Sequence, residues 1–144
     1  MPNRRPKIDH FFNGRFRIEI EGVVQGAFTQ CSGLEAKIDV VQFNDGSDLV
    51  TRKRPGRPGV SNIVLKRGVV DGTELWNWFK SGYDGQVERR AGSVIVCDDA
   101  GSEIYRYNFF EGWPCRWKSL DLRAGEPDSL IEEIEIAVER IERG

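Results

Sequence analysis

The chain has 144 residues, of which 39% are hydrophobic and 31% are charged, and its formal net charge is −2. A chain of this length and composition buries a core without disulfides or metal, which excludes a disordered protein. A nucleic-acid-binding domain is usually basic overall, so the charge also argues against that class.

Apolar run lengths and the cysteine and histidine content indicate where the protein is made and whether it holds a metal or cofactor. No apolar run is long enough to span a bilayer, and the N-terminus lacks the apolar segment of a cleaved signal peptide. We therefore expect cytoplasmic synthesis and folding, or export by another route. The cysteines (Cys31, Cys97 and Cys115) are odd in number and form no C-x-x-C pair, and His10 is the single histidine. These features predict buried thiols, no metal and no cofactor.

Charge is divided unequally between the two halves of the chain. Residues 1–70 carry twelve Lys or Arg against seven Asp or Glu, whereas residues 71–144 carry nine against sixteen. A polarised monomer of this kind suits head-to-tail contact between identical copies.

The first segments in chain order have the alternation of half-buried β-strands. Between Arg15 and Glu21, the side chains of Phe16, Ile18 and Ile20 fall on one face and charged side chains on the other. Further strands are predicted at Val23–Cys31, Ala36–Phe43, Asn62–Lys66, Ser93–Cys97 and Glu103–Phe110.

A cationic segment interrupts this series of strands. Asp45 belongs to a turn, and residues 46–60 contain Pro55 and Pro58, which cannot donate to a β-ladder. We expect an extended loop that carries four cations: Arg52, Lys53, Arg54 and Arg57. Three interpretations remain open for it, namely a solvated loop, a short nucleic-acid patch, or an arm that meets carboxylates of a neighbouring copy.

One helix is predicted over residues 72–81. Asp71 is a candidate N-cap with Glu74 three residues later, and Gly82 is a candidate C-terminal stop. Residues 130–142 are ambiguous, because the apolar positions fit either a helix or a strand. Local propensity favours helix there, and Ile136 favours strand.

No catalytic constellation is present in the sequence. His10 lies in an expected N-terminal arm, so neither a Ser/His/Asp nor a Cys/His arrangement is credible, and no enzyme is predicted. The tryptophans could form a sugar-binding platform, but such residues more often belong to a core: Trp76, Trp78, Trp113 and Trp117.

Several motifs in one order resemble the phage tail tube protein family, which includes the inner tubes of phage-like contractile injection systems. Residues 12–22 resemble its opening F-x-V-x-I-x-G strand, and residues 26–34 resemble its G-x-F-x-x-x-S-G-L element. Arg54-Pro55-Gly56 stands at its K-x-P-G, residues 63–68 match I-x-L-K-R-G, and residues 75–78 match L-x-x-W. The resemblance covers nearly the whole chain.

This resemblance implies a single tail-tube domain over residues 1–144, with an N-terminal arm at 1–13. The implied fold is mainly β, with two packed antiparallel sheets forming a β-barrel or sandwich, one short flanking α-helix and an extended loop arm. It also implies that residues 130–142 form a strand, and that interpretation is adopted here. In a ring, open sheet edges would pair between copies.

The implied function is structural. Six copies would form a ring, and rings would stack into a hollow tube inside a phage tail or phage-like particle. The implied partners are a sheath, a baseplate or tube initiator, a terminator cap, and effector cargo or phage DNA in the lumen. The predicted interface residues are His10, Phe11, Phe12, Asp45, Asp48, Arg52, Lys53, Arg54, Pro55 and Arg57. A monomeric β-barrel module that binds carbohydrate or nucleic acid is the alternative.

Overall fold

The computed structural model describes residues 15–47, 49–119 and 130–144. Within these ranges the chain forms nine strands and one helix. Their bounds are β1 Phe16–Ile20, β2 Val23–Ser32, β3 Ala36–Phe43, β4 Arg52–Val60, β5 Ile63–Val70, α1 Glu74–Tyr83, β6 Arg90–Cys97, β7 Glu103–Ser119, β8 Leu130–Ala137 and β9 Arg140–Arg143.

Six strands close into an antiparallel barrel within one chain. The strands follow one another in the order β6, β1, β2, β5, β8 and β7, and β6 also pairs with β7, which completes the circle. The short strand β9 pairs with the first half of β7. The prediction of a mainly β chain with a barrel and one short helix is confirmed, and the barrel needs no second copy to close its own edges.

The core fills the barrel with side chains that alternate along the strands. Phe28 and Phe109 are the largest fully buried side chains, and Ile18, Ile63 and Ile134 surround them. Gly68 lies opposite Phe28, and a Cβ at Gly68 would come within 2.3 Å of the Phe28 ring. The alternation predicted for β1 is confirmed, because Ile18 and Ile20 are both buried.

The C-terminal segment is extended, as the family resemblance implied. Ile134 pairs with Leu65 of β5 on one side and with Trp117 of β7 on the other, which places β8 between two strands. Local propensity for helix is therefore overridden by pairing on both sides.

The helix is present, but its ends differ from the predicted ones. Its N-cap is Thr73, not Asp71, and no side chain makes a capping hydrogen bond there. At the other end Gly85, with φ of +94°, takes the left-handed position that Gly82 was expected to take. The backbone N–H of Gly85 donates to Gly82 O and that of Gln86 donates to Ser81 O, a Schellman motif. This helix is too short to cross a membrane, and the described residues contain no other helix.

Candidate assembly surface

Strands β3 and β4 form a separate two-stranded sheet, here called the ribbon and defined as residues 36–60. The two strands pair antiparallel with each other, and neither has a second partner strand in the described part of the chain. Nearly all described ribbon residues are exposed. The segment predicted as a loop over residues 46–60 therefore contains a strand, because prolines are tolerated where one strand edge stays open.

The two connections between the ribbon and the barrel are held to each other by a compact set of hydrogen bonds. The Ser61 hydroxyl donates to Gly33 O at 2.5 Å, and the Ser61 N–H donates to Glu35 O at 3.0 Å. Gly33 has φ of +100°, and a Cβ there would lie 1.9 Å from Asn62 O. Only glycine fits this crossing. The ribbon thus leaves the barrel in a defined direction.

One face of the ribbon is apolar and open to solvent. Ile38 pairs with Pro58 and Val40 pairs with Pro55, so these four side chains share a face. Ile38 and Val40 are 60% and 61% exposed, although their alternation with charged residues is typical of a half-buried strand. Neither residue was predicted to be functional from the sequence. The prolines that pair with them could have indicated it, because proline in a strand is typical of an edge that no further strand covers.

The predicted cations lie on β4. Arg52, Lys53, Arg54 and Arg57 are all on this strand, and the guanidinium of Arg54 lies 5.7 Å from the ring centroid of Phe43. Within the described residues, neither Lys53 nor Arg57 has a carboxylate at ion-pair distance. Lys53 and Arg57 are therefore available to a partner.

The structure brings six of the ten predicted interface residues into one region. Pro55 lies between the cations of β4, and Asp45 lies in the connection that precedes this strand. The other four lie outside the described residues: His10, Phe11, Phe12 and Asp48.

A cleft joins the base of the ribbon to the barrel. It has a volume of about 500 Å³ and lies between β3, β4 and β9, with Ile38, Pro58, Val60 and Ile141 among its lining side chains. Lys37, Glu139 and Arg140 also line this cleft. The surface that the molecule offers to a partner therefore extends from the ribbon onto the barrel as a mixture of apolar and charged side chains.

All three thiols were predicted to be buried, but only Cys97 is; Cys31 and Cys115 are partly buried. Burial raises the pKa of the Cys31 thiol to about 12, and burial is also the main cause that raises the pKa of Cys115. A raised pKa leaves almost no thiolate at neutral pH. Across the described ranges, no three His, Cys, Asp or Glu side chains are grouped as metal ligands.

The tryptophans do not form one open platform. Trp78 is buried, and its indole N–H donates to Glu88 O at 2.7 Å. Trp76 and Trp117 instead contact each other edge to face, with ring centroids 5.3 Å apart. The four tryptophans therefore do not form the single platform that the carbohydrate-binding alternative requires.

A closed barrel that carries an exposed ribbon defines a structural subunit, built to contact other chains. The family model described as T4-like virus tail tube protein gp19 matches residues 13–142. The chain belongs to this family and is a tail tube subunit.

Solved structures agree with this assignment. The chain is 28% identical to a chain of the sheath–tube complex of an extracellular contractile injection system, PVC, in the extended state, with a TM-score of 0.71 and coverage of 91% of this chain and 88% of that one. It is also 28% identical to a chain of the sheath/tube terminator of that system, with a TM-score of 0.70 and coverage of 90% and 93%.

A more distant likeness concerns the fold alone. Hcp1 from Flavobacterium johnsoniae is 22% identical, with a TM-score of 0.50 and coverage of 90% of this chain and 94% of that one. Comparison with the curated proteins gives no match.

Proposed function

We propose that six copies of this chain form a ring, that rings stack into a hollow tube, and that the ribbon makes the contact between copies. The observation that carries this proposal is the apolar face of the ribbon, where Ile38 and Val40 are about three-fifths exposed. The barrel closes its own edges within one chain, so the ribbon is the part left without a partner strand in the described residues. Contiguous exposed apolar surface of this kind marks a site of protein contact.

The cations of β4 give the proposed contact its register. Lys53 and Arg57 have no carboxylate partner in the described part of their own chain, and the second half of the sequence is rich in Asp and Glu. Charge complementarity across an interface fixes orientation and accelerates encounter more than it adds affinity. A permanent contact of this kind buries upward of about 2,000 Å².

The remaining partners follow from the family and from the related PVC assemblies. We propose that a sheath surrounds the tube, that a baseplate or initiator and a terminator cap bound it, and that effector cargo or phage DNA occupies its lumen. The chain would be made in the cytoplasm and then assembled into the particle. Its role is that of a rigid conduit without catalytic turnover.

Charge reversal on β4 tests the role of the ribbon. The variant with Arg52→Glu, Lys53→Glu and Arg54→Glu is expected to lose rings and tubes in negative-stain microscopy and to keep the melting temperature of the unmodified chain. The matched control exchanges the same cations for each other (Arg52→Lys, Lys53→Arg and Arg54→Lys) and is expected to assemble. Normal tubes from the charge-reversed variant would refute the proposal.

Removal of residues 1–11 tests the N-terminal contact that was predicted to include His10, Phe11 and Phe12. Assembly is expected to weaken, while the melting temperature stays close to that of the full chain. A lower melting temperature with unchanged assembly would assign this segment to folding instead.

A further inference from the structure

Helix α1 carries a second aromatic face, which contacts the barrel only at its edge. Leu75 and Trp78 of this helix are buried against the core. On another face, Trp76 and Phe79 lie 5.6 Å apart between ring centroids, and Phe79 and Tyr83 lie 6.1 Å apart. Trp117 of β7 contacts this group, which is called the aromatic patch: Trp76, Phe79, Tyr83 and Trp117.

Two rings of the aromatic patch are open to solvent and border a cleft. Trp76 is 43% exposed and Tyr83 is 81% exposed, whereas Phe79 and Trp117 are half-buried. The cleft has a volume of about 320 Å³ and is lined by Trp76, Phe79, Lys80, Tyr83 and Asp84.

The connection between β3 and β4, at the tip of the ribbon, carries exposed aliphatic side chains that could fill such a cleft. Leu49 and Val50 lie there, and their side chains are 102% and 67% exposed. Leu49 and Tyr83 are the two most exposed large hydrophobic side chains in the described ranges. Leu49 lies at the tip of the ribbon, and Tyr83 lines the aromatic cleft.

We propose that the tip of the ribbon of one copy inserts Leu49 and Val50 into the cleft of the aromatic patch of a second copy. This inference rests on the proposed function and names the surface that receives the ribbon. Aliphatic side chains fill an aromatic-walled cleft, and cations of the ribbon stack on exposed rings. Arg54 already lies over the Phe43 ring within the ribbon itself.

Charge agrees with this pairing. Residues 36–60 carry five cations against three carboxylates (Asp39, Asp45 and Asp48), whereas residues 71–84 carry three carboxylates and Lys80. Asp84 lines the cleft, and Lys53 follows Leu49 by four residues. Insertion of Leu49 would therefore bring a cation toward the carboxylate at the rim.

The tip and the cleft are two different surfaces of one copy. When each copy gives its tip to one neighbour and receives the tip of another, the contact is head to tail, and it closes into a ring or continues as a filament.

Two complementary variants test this pairing. Leu49→Asp disables the tip, and Tyr83→Asp disables the cleft. Each variant alone is expected to raise the concentration needed for assembly by about thirtyfold or more, as for a buried anchor residue. An equimolar mixture is expected to give 1:1 dimers by sedimentation velocity, because one intact tip meets one intact cleft. Ile104→Asp is the matched control, since Ile104 is 57% exposed on the barrel.

The outcomes separate this inference from the proposed function. If Tyr83→Asp assembles like the unmodified chain while charge reversal on β4 abolishes assembly, the ribbon meets another surface or another protein meets the aromatic patch, and only this inference is overturned. The inference is equally overturned if the mixture forms no dimer. If the unmodified chain forms no rings or tubes beside its sheath and cap, the proposed function itself fails.

Discussion

Replacing the two exposed aliphatic side chains of the ribbon with threonine should prevent assembly without unfolding the protein. Threonine keeps the branched shape and the strand preference of Ile38 and Val40 while it introduces a hydroxyl group in each. Because both side chains are about three-fifths exposed in the isolated chain, the substitution hardly alters the folded monomer.

The magnitude follows from burial at the proposed contact. A buried hydroxyl without a partner costs about 1–3 kcal/mol by mutational measurements. Since only about three-fifths of each side chain remains to be buried, the cost is about 0.6–1.8 kcal/mol per site and about 1.2–3.6 kcal/mol for the pair. That energy corresponds to an increase of about 7- to 400-fold in the concentration required for assembly.

Sedimentation velocity over a concentration series measures this threshold, and calorimetry measures the melting temperature. Ile104→Thr is the matched control, because Ile104 is similarly exposed on β7. The reasoning is refuted if the Ile38→Thr, Val40→Thr variant assembles at the unmodified concentration. An equal loss of assembly in the control would also contradict it, since solubility would then be the cause.

Three further predictions concern the fold that carries the ribbon. Gly33→Ala should lower the melting temperature and reduce assembly, because its Cβ would clash with Asn62 O, and circular dichroism measures the loss. An unchanged melting temperature would show that the crossing can relax. Phe109→Ala should cost about 3–5 kcal/mol in the free energy of unfolding, because it leaves a cavity in the core, and urea denaturation measures this. A decrease of less than about 1 kcal/mol in the free energy of unfolding would contradict the central position of Phe109 in the core. Since the pKa of Cys31 is raised to about 12, the unfolded chain releases this proton first, so stability should fall as the pH rises from about 9. Cys31→Ala should flatten the pH dependence of the melting temperature, and an unchanged slope would exclude Cys31 as its source.

Local sequence pattern was enough to predict strands that bury one face and expose the other. In β1, strict alternation placed Ile18 and Ile20 in the core, and the structure confirms both. Residues 130–142 needed more, because the same apolar positions satisfy two periods. The deciding contacts come from Leu65 and Trp117, which are distant in sequence.

The helix ends and the ribbon were beyond local reasoning for different physical reasons. Asp71 and Gly82 have the right residue types for caps, but the helix spans Glu74–Tyr83, two residues later at each end than the predicted 72–81. Gly85, not Gly82, takes the left-handed conformation after it. Ile38 and Val40 looked like half-buried strand residues, since sequence does not reveal that no barrel strand covers them. Only the three-dimensional structure distinguishes a strand face that packs in the core from one that stays exposed to solvent.

The two prolines in β4 carry a consequence for the time before assembly. Proline in an edge strand turns its nitrogen toward the open side, so a stray peptide laid along β4 would find no donor at Pro55 or Pro58. Pairing of another strand along β4 is thereby discouraged, so recognition at this edge depends on side-chain shape and charge.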